Sequence, residues 1–135
     1  MPTVLLVEDD PVNARVFEKV LRRRGGFEVF HSQDVEQILK LAQEHEVDVI
    51  LLDVSLSQST FRGEAVDGIR IAQLLKGDPK SRSIPIILVT AHAMRGDREA
   101  FLARSGADGY IAKPVVDHEE MVNQVRRVLA QAQQV

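Results

Sequence analysis

Four consecutive apolar residues, Val49, Ile50, Leu51 and Leu52, run directly into an acid, Asp53, and then into polar, turn-prone chain. A run this short and this uniformly apolar reads as a strand buried on both faces, which calls for a parallel sheet with helices packed above and below it. Open α/β sheets collect their chemistry outside the carboxyl ends of the strands, where the strand order switches. Asp53, as the last residue of the run, is therefore a candidate reactive group. An Asp that merely ends a strand is the plain alternative, since strand-to-helix turns favour Asp. What decides between them is a second acidic group at the end of the first apolar run.

The remainder of the chain alternates short apolar runs with helical patterns. Val4 to Val7 is the first strand, and Glu8, Asp9 and Asp10 follow it directly. Asp10-Pro11 reads as a helix cap and first helical position. Val12, Val16, Phe17, Val20 and Leu21 then recur at helical spacing as one apolar face, ended by Gly25-Gly26. Phe27 to His31 is a second strand. Asp34 with Gln37 resembles a capping box for a second helix facing inward through Val35, Ile38, Leu39 and Ala42. After Asp53 comes a loop of about a dozen polar and small residues, long for a βα connection. A third helix spans Gly68 to Lys76. Ile84 to Thr90 is a fourth strand, with Pro85 near its start where a missing donor is tolerable. Arg95 to Ser105 is a fourth helix closed by Gly106, and Tyr110 to Lys113 a fifth strand. Asp117 with Glu120 caps a last helix on Met121, Val122, Val125, Val128 and Leu129. Five strands alternating with five helices predict a flavodoxin-like, doubly wound α/β fold with a parallel sheet of order 2-1-3-4-5.

The 135 residues, 44% hydrophobic and 27% charged, suit a single domain over 1–135, with no room for an output domain. With 17 basic and 20 acidic side chains the net charge is −3, which gives no electrostatic hold on nucleic acid or membrane. Arg22-Arg23-Arg24 reads as the solvated last turn of a helix, where cations suit the dipole. The absence of cysteine excludes disulfides, thiolate metal sites and thiol nucleophiles. The amino-terminal apolar run is too short for a signal or a membrane span, so a cytoplasmic protein is expected.

In the order 2-1-3-4-5, strands 1 and 3 are neighbours, so Glu8, Asp9 and Asp53 converge, and strands 4 and 5 bring Thr90 and Lys113 towards the same place. Clustered carboxylates repel unless a cation sits between them, and oxygen ligands without His or Cys suit a hard ion, Mg²⁺ first, or Mn²⁺ in its place. Beside such an ion an ionised Asp53 can attack a phosphoryl group, while metal and Lys113 neutralise charge on the transferring oxygens and Thr90 donates a hydrogen bond. Each residue has a bland reading of its own: Thr90 as a β-branched strand end, Lys113 as a surface charge, Glu8 and Asp9 as helix-start acids. Their coincidence at four strand ends favours a site.

With Glu8-Asp9-Asp10-Pro11 after strand 1, Asp53 after strand 3, Thr90-Ala91 after strand 4 and Lys113-Pro114 after strand 5, the chain resembles a response-regulator receiver domain over essentially its full length. The resemblance implies that Asp53 accepts a phosphoryl group from a phosphohistidine on a sensor histidine kinase or histidine phosphotransfer protein. It implies that Asp9, Asp53 and the backbone carbonyl of Ser55 bind Mg²⁺, with Glu8 acting through water. It implies further that Thr90 and Tyr110 form the switch, that Lys113 helps to read the phosphorylated state, and that a downstream protein is met by the helix 4, strand 5 and helix 5 face. A cis peptide before Pro114 is expected on the same ground. Such a domain phosphorylates and slowly dephosphorylates itself rather than turning over a substrate. Its start at Met1 mildly favours a stand-alone domain over one excised from a larger protein.

Two departures from the family pattern stand out. Ser57 occupies a position where the family often has proline, and the Asp-Gly pair appears only at Asp67-Gly68, which makes 58–66 an insertion. Arg62 in that insertion could pair with a phosphoryl oxygen as part of a lid, or the segment could be a tolerated loop extension. A haloacid-dehalogenase-type phosphatase would need a second acid where Ser55 stands, and a flavodoxin would need a phosphate loop where the acids after strand 1 stand. A receiver-like scaffold that binds partners without phosphorylation is the remaining alternative.

Overall fold

The computed structural model describes residues 2–56, 59–91, 96–113 and 117–133. Five parallel strands form the central sheet: β1 (Thr3–Val7), β2 (Glu28–His31), β3 (Val49–Asp53), β6 (Ile86–Thr90) and β7 (Gly109–Ala112), in the order β2-β1-β3-β6-β7. A two-stranded hairpin of β4 (Thr60–Phe61) and β5 (Glu64–Ala65) accounts for the gap in numbering. The main sheet is thus the expected flavodoxin-like order. Its helices are α1 (Pro11–Gly25), α2 (Val35–Gln43), α3 (Gly68–Lys76), α4 (Asp97–Ser105) and α5 (His118–Gln133).

Alternation along the strands divides the core in two. Val4, Leu6, Val49, Leu51, Ile87 and Val89 pack with the inner faces of α1 and α5, while Leu5, Val7, Ile50, Leu52, Ile86 and Leu88 pack with those of α2 and α3. The inner face expected for α5, Met121 to Leu129, is buried throughout. The face expected for α1 needs correction. Val12 and Val16 are 62% and 43% exposed, and the helix buries Ala14, Phe17, Val20 and Leu21 instead. At about 100° per residue, Val12 and Val16 lie roughly 150° and 110° round the helix from the centre of that stripe.

The caps largely follow the sequence. Asp10 accepts from the Val12 amide, and Gly26 closes α1 at φ 69. Asp34 caps α2, but only half of the capping box forms. The Gln37 side chain accepts from the Ser32 hydroxyl at 2.6 Å rather than reaching back to the Asp34 amide, which donates to Ser32 Oγ. The strand carrying Thr90 starts at Ile86. Pro85 precedes it and offers its carbonyl to Ile50 N at 3.0 Å, so the missing proline donor costs the ladder nothing. The last strand ends at Ala112, one residue before Lys113, and α4 begins at Asp97, with Arg95 outside the described residues.

Part of the expected long loop is the β4–β5 hairpin. Arg62 and Gly63 have φ of 53 and 81, the left-handed pair that a tight two-residue hairpin turn requires. The chain then enters α3 at Gly68 in very close contact with β3. A Cβ on Gly68 would lie 2.1 Å from the Asp53 carbonyl oxygen, and its amide donates to the Val54 carbonyl at 3.1 Å. Glycine is required here for space, which ties the displaced Asp67-Gly68 pair to the strand that ends in Asp53. Replacing Gly68 with Ala is expected to lower unfolding free energy by about 1–3 kcal/mol through overpacking, read as a lower urea midpoint with an unchanged m-value.

Candidate functional site

Parallel pairing aligns the strand ends: Val7 is opposite Leu52, Asp53 opposite Val89, and Thr90 opposite Ala112. Residues just beyond those ends are thereby forced together. Glu8 and Asp53 are buried, at 1% and 4% exposure, and Asp9 is half-buried beside them. One carboxylate oxygen from each of the three acids lies within 4.8 Å of the others. Lys113 reaches in from beyond β7, its Nζ 2.6 Å from Glu8 Oε1 and 3.3 Å from Asp53 Oδ2. Its own amide donates to the Thr90 carbonyl at 2.8 Å, so the lysine is anchored to β6 by its main chain.

Asp53 is positioned by the turn that follows it, where Oδ1 accepts from the Ser55 amide at 3.0 Å. Thr90 is fully buried at the end of β6, and Tyr110, opposite Leu88, lies on the same face of the sheet as Thr90. The Tyr110 ring is half-buried and stacks on Phe101 of α4, with centroids 6.5 Å apart and planes at 26°. Glu8, Asp9, Asp53, Thr90 and Lys113 therefore come to one end of the sheet, with Tyr110 one strand over towards α4. Pro114 lies outside the described residues.

The electrostatics reflect crowding. Burial first, then the neighbouring Asp53 carboxylate, push the Glu8 carboxyl up to about 7 despite the opposing pull of Lys113. For Lys113, burial favours loss of the proton, but the bond to Glu8 and the charges of Asp53 and Glu8 outweigh it, so its pKa is raised and it stays an ammonium. Burial raises the Tyr110 hydroxyl, with Asp97 adding to the effect and Arg98 opposing it. Glu8 Oε2 is buried without a hydrogen-bond partner among the described residues. An orphaned carboxylate oxygen, three acids in reach of one point and, among the described residues, no His or Cys donor in that cluster fit a small hard cation such as Mg²⁺.

A family model described as the response regulator receiver domain matches residues 4–126. The chain belongs to that family. Among curated relatives, the polar-differentiation response regulator DivK of Brucella anthropi is 35% identical over 113 residues, 84% of this chain and 85% of the relative. The crystallised receiver domain of the sensor histidine kinase PA1611 from Pseudomonas aeruginosa PAO1, which has a magnesium ion coordinated in its active-site cleft, is 33% identical. It superposes with a TM-score of 0.78 over 96% of this chain and 98% of that one. A putative response regulator from Chloroflexus aurantiacus J-10-fl, at 30% identity, gives a TM-score of 0.80 over 96% and 99%. A receiver domain is a signalling unit of two-component systems, meeting histidine kinases or phosphotransfer proteins on one side and downstream targets on the other. Among the described residues no helix is long and apolar enough to cross a membrane.

The insertion in this receiver leans towards α2. The Ser59 hydroxyl donates to the Gln33 carbonyl at 3.1 Å, and Phe61 packs against the core shared with α2 and α3. The Arg62 guanidinium lies 5.0 Å from the Phe61 ring centroid and makes no ion pair among the described residues. Ser57 and Gln58 lie outside the described residues. One contact at the site has no sequence signal at all: His31 Nε2 is 2.6 Å from the main-chain oxygen of Glu8, 23 residues away. The two meet only because β1 and β2 pair.

The raised Glu8 pKa has a definite sign in stability. Between its ordinary value of 4.5 and about 7 the folded protein keeps a proton that the unfolded chain has released, so this group's contribution falls as pH rises through that window. Urea unfolding in EDTA should therefore show Glu8→Gln gaining on the parent as pH is raised from 5 to 8. A difference that is flat across that range would count against the assignment.

Proposed function

We propose that this receiver domain is a phosphoacceptor in which Asp53 takes a phosphoryl group from a phosphohistidine on a sensor histidine kinase or histidine phosphotransfer protein. The observation that carries the reading is the convergence of Glu8, Asp9 and Asp53 on one point with Lys113 bridging two of them. An Asp53 carboxylate oxygen attacks phosphorus, the phosphorus–nitrogen bond breaks, and the freed imidazole nitrogen takes up a proton. Asp9, Asp53 and the Ser55 carbonyl would hold Mg²⁺ directly and Glu8 through water; the ion supplies neutralisation of charge on the phosphoryl oxygens. Mn²⁺ would fit the same donors.

Lys113 is positioned to follow the phosphoryl oxygens because its ammonium already lies beside Asp53. Thr90 offers a hydroxyl at the end of the adjacent strand. Hydrolysis of the acyl phosphate returns the domain to its resting state without turnover of a separate substrate, so the protein is a switch rather than an enzyme. Its readout is contact with a downstream protein over the α4, β7 and α5 surface, reached through Thr90 and Tyr110. Two packing arrangements of one aromatic ring are the kind of bistable element that such switches use. The acidic balance, −3 overall, favours protein partners over nucleic acid or membrane. The cysteine-free composition suits the cytoplasm.

Incubation with acetyl phosphate and Mg²⁺ should add one phosphate by mass spectrometry, lost in Asp53→Asn and in EDTA. The same mass gain in Asp53→Asn, or undiminished labelling in EDTA, would remove Asp53 from its role. For the switch, beryllofluoride should shift backbone amide resonances in β7 and its flanking helices as well as at the acids. Shifts confined to the acidic pocket would eliminate the α4, β7 and α5 output surface.

A further inference from the structure

The ladder between β1 and β2 uses alternate carbonyls of β1. Pro2 accepts from the Glu28 amide at 3.0 Å and Leu6 from the Ser32 amide at 3.1 Å. Continued by the same two-residue step, it would have the Glu8 carbonyl accept from the amide of Asp34. That amide is diverted, because the chain turns to cap α2 and Asp34 N donates to Ser32 Oγ at 3.2 Å. The Glu8 carbonyl takes its hydrogen bond instead from a side chain, His31 Nε2, at 2.6 Å. A carbonyl oxygen only accepts, so the geometry puts the imidazole proton on Nε2.

The peptide plane held in this way is the one that joins Glu8 to Asp9, two of the three acids converging on the site. We propose that His31 is a positioning residue for the divalent cation, fixing the direction in which both acids enter the site; this rests on the metal reading above. Mg²⁺ is the ion that should feel it most, since Mg²⁺ demands near-ideal octahedral geometry whereas Ca²⁺ accepts irregular sets of oxygens. Groups that orient metal ligands from outside the coordination sphere typically alter affinity severalfold or more when removed.

The test is calorimetric titration of Mg²⁺ and, separately, Ca²⁺ into the parent, His31→Ala and His31→Gln proteins, with the metal-free thermal midpoint of each. The Gln amide offers an N–H at reach similar to Nε2. His31→Ala should weaken Mg²⁺ about threefold to tenfold, smaller than for a group bonded directly to a ligand atom, while His31→Gln stays within about twofold of the parent. Ca²⁺ affinity should change less than about twofold, with midpoints unchanged to within a few degrees. Unaltered Mg²⁺ binding in His31→Ala overturns the positioning role alone. Equal loss of both ions with a fallen midpoint, or no recovery in His31→Gln, overturns it in favour of a structural role. A parent that takes up no Mg²⁺ overturns the metal reading, and the inference with it.

Discussion

One ammonium facing three carboxylates is the interaction on which the rest of this molecule depends. Lys113 bridges Glu8 and Asp53 at 2.6 and 3.3 Å, in a place where Glu8 is 1% exposed and one of its oxygens has no protein partner among the described residues. One positive charge cannot compensate three buried or half-buried acids, and a charge left uncompensated away from water is costly. The site relieves that cost either by keeping a proton on Glu8 or by admitting a cation. That excess of acid over base is the setting in which the proposed divalent cation would be held.

Crowding of this kind persists only if the acids cannot move apart, and the sheet prevents that. Each acid stands at or just past the end of a central strand whose neighbours are fixed by parallel pairing, Val7 against Leu52 and Asp53 against Val89. Beyond the strand ends, further bonds remove the remaining slack. The Val54 amide donates to the Val89 carbonyl, Gly68 packs directly on the Asp53 carbonyl, and the Lys113 amide holds on to Thr90. Separating the backbones that carry the cluster would therefore mean breaking main-chain hydrogen bonds between strands.

The hairpin of β4 and β5 shows how much can be added to this frame without disturbing it. It lies in the chain between β3 and α3; Ser59, just before it, bonds to Gln33, and its Phe61 packs on the core shared by α2 and α3. Arg62, an obvious candidate for reaching a phosphoryl oxygen, is engaged with the neighbouring Phe61 ring. Extensions of surface loops cost little stability, and the central sheet keeps the strand order expected without it.

Much of the fold is legible along the chain. Short apolar runs such as Val49 to Leu52, alternating with helical periodicity and punctuated by caps at Asp10, Asp34 and Asp117, specify a parallel sheet covered on both sides. The residue types after each run, acids, a threonine and a lysine, point to oxygen ligands for a hard cation and to the phosphoryl transfer proposed above. Other features were not legible. Val12 and Val16 carry the same apolar character as Phe17 and Val20, and which part of that apolar arc the core covers, leaving these two in solvent, is decided by packing. Arg62-Gly63 forms a hairpin turn because both residues take a left-handed backbone, a state that Arg seldom adopts and its side chain does not announce. The distance between Lys113 and Glu8, the orphaned Glu8 oxygen and the His31 bond to the Glu8 carbonyl depend on residues up to 105 positions apart. Local pattern determined which elements form, because propensity and periodicity act over a few residues; tertiary structure decided which charges meet, because that is set by strand register and the packing of distant elements.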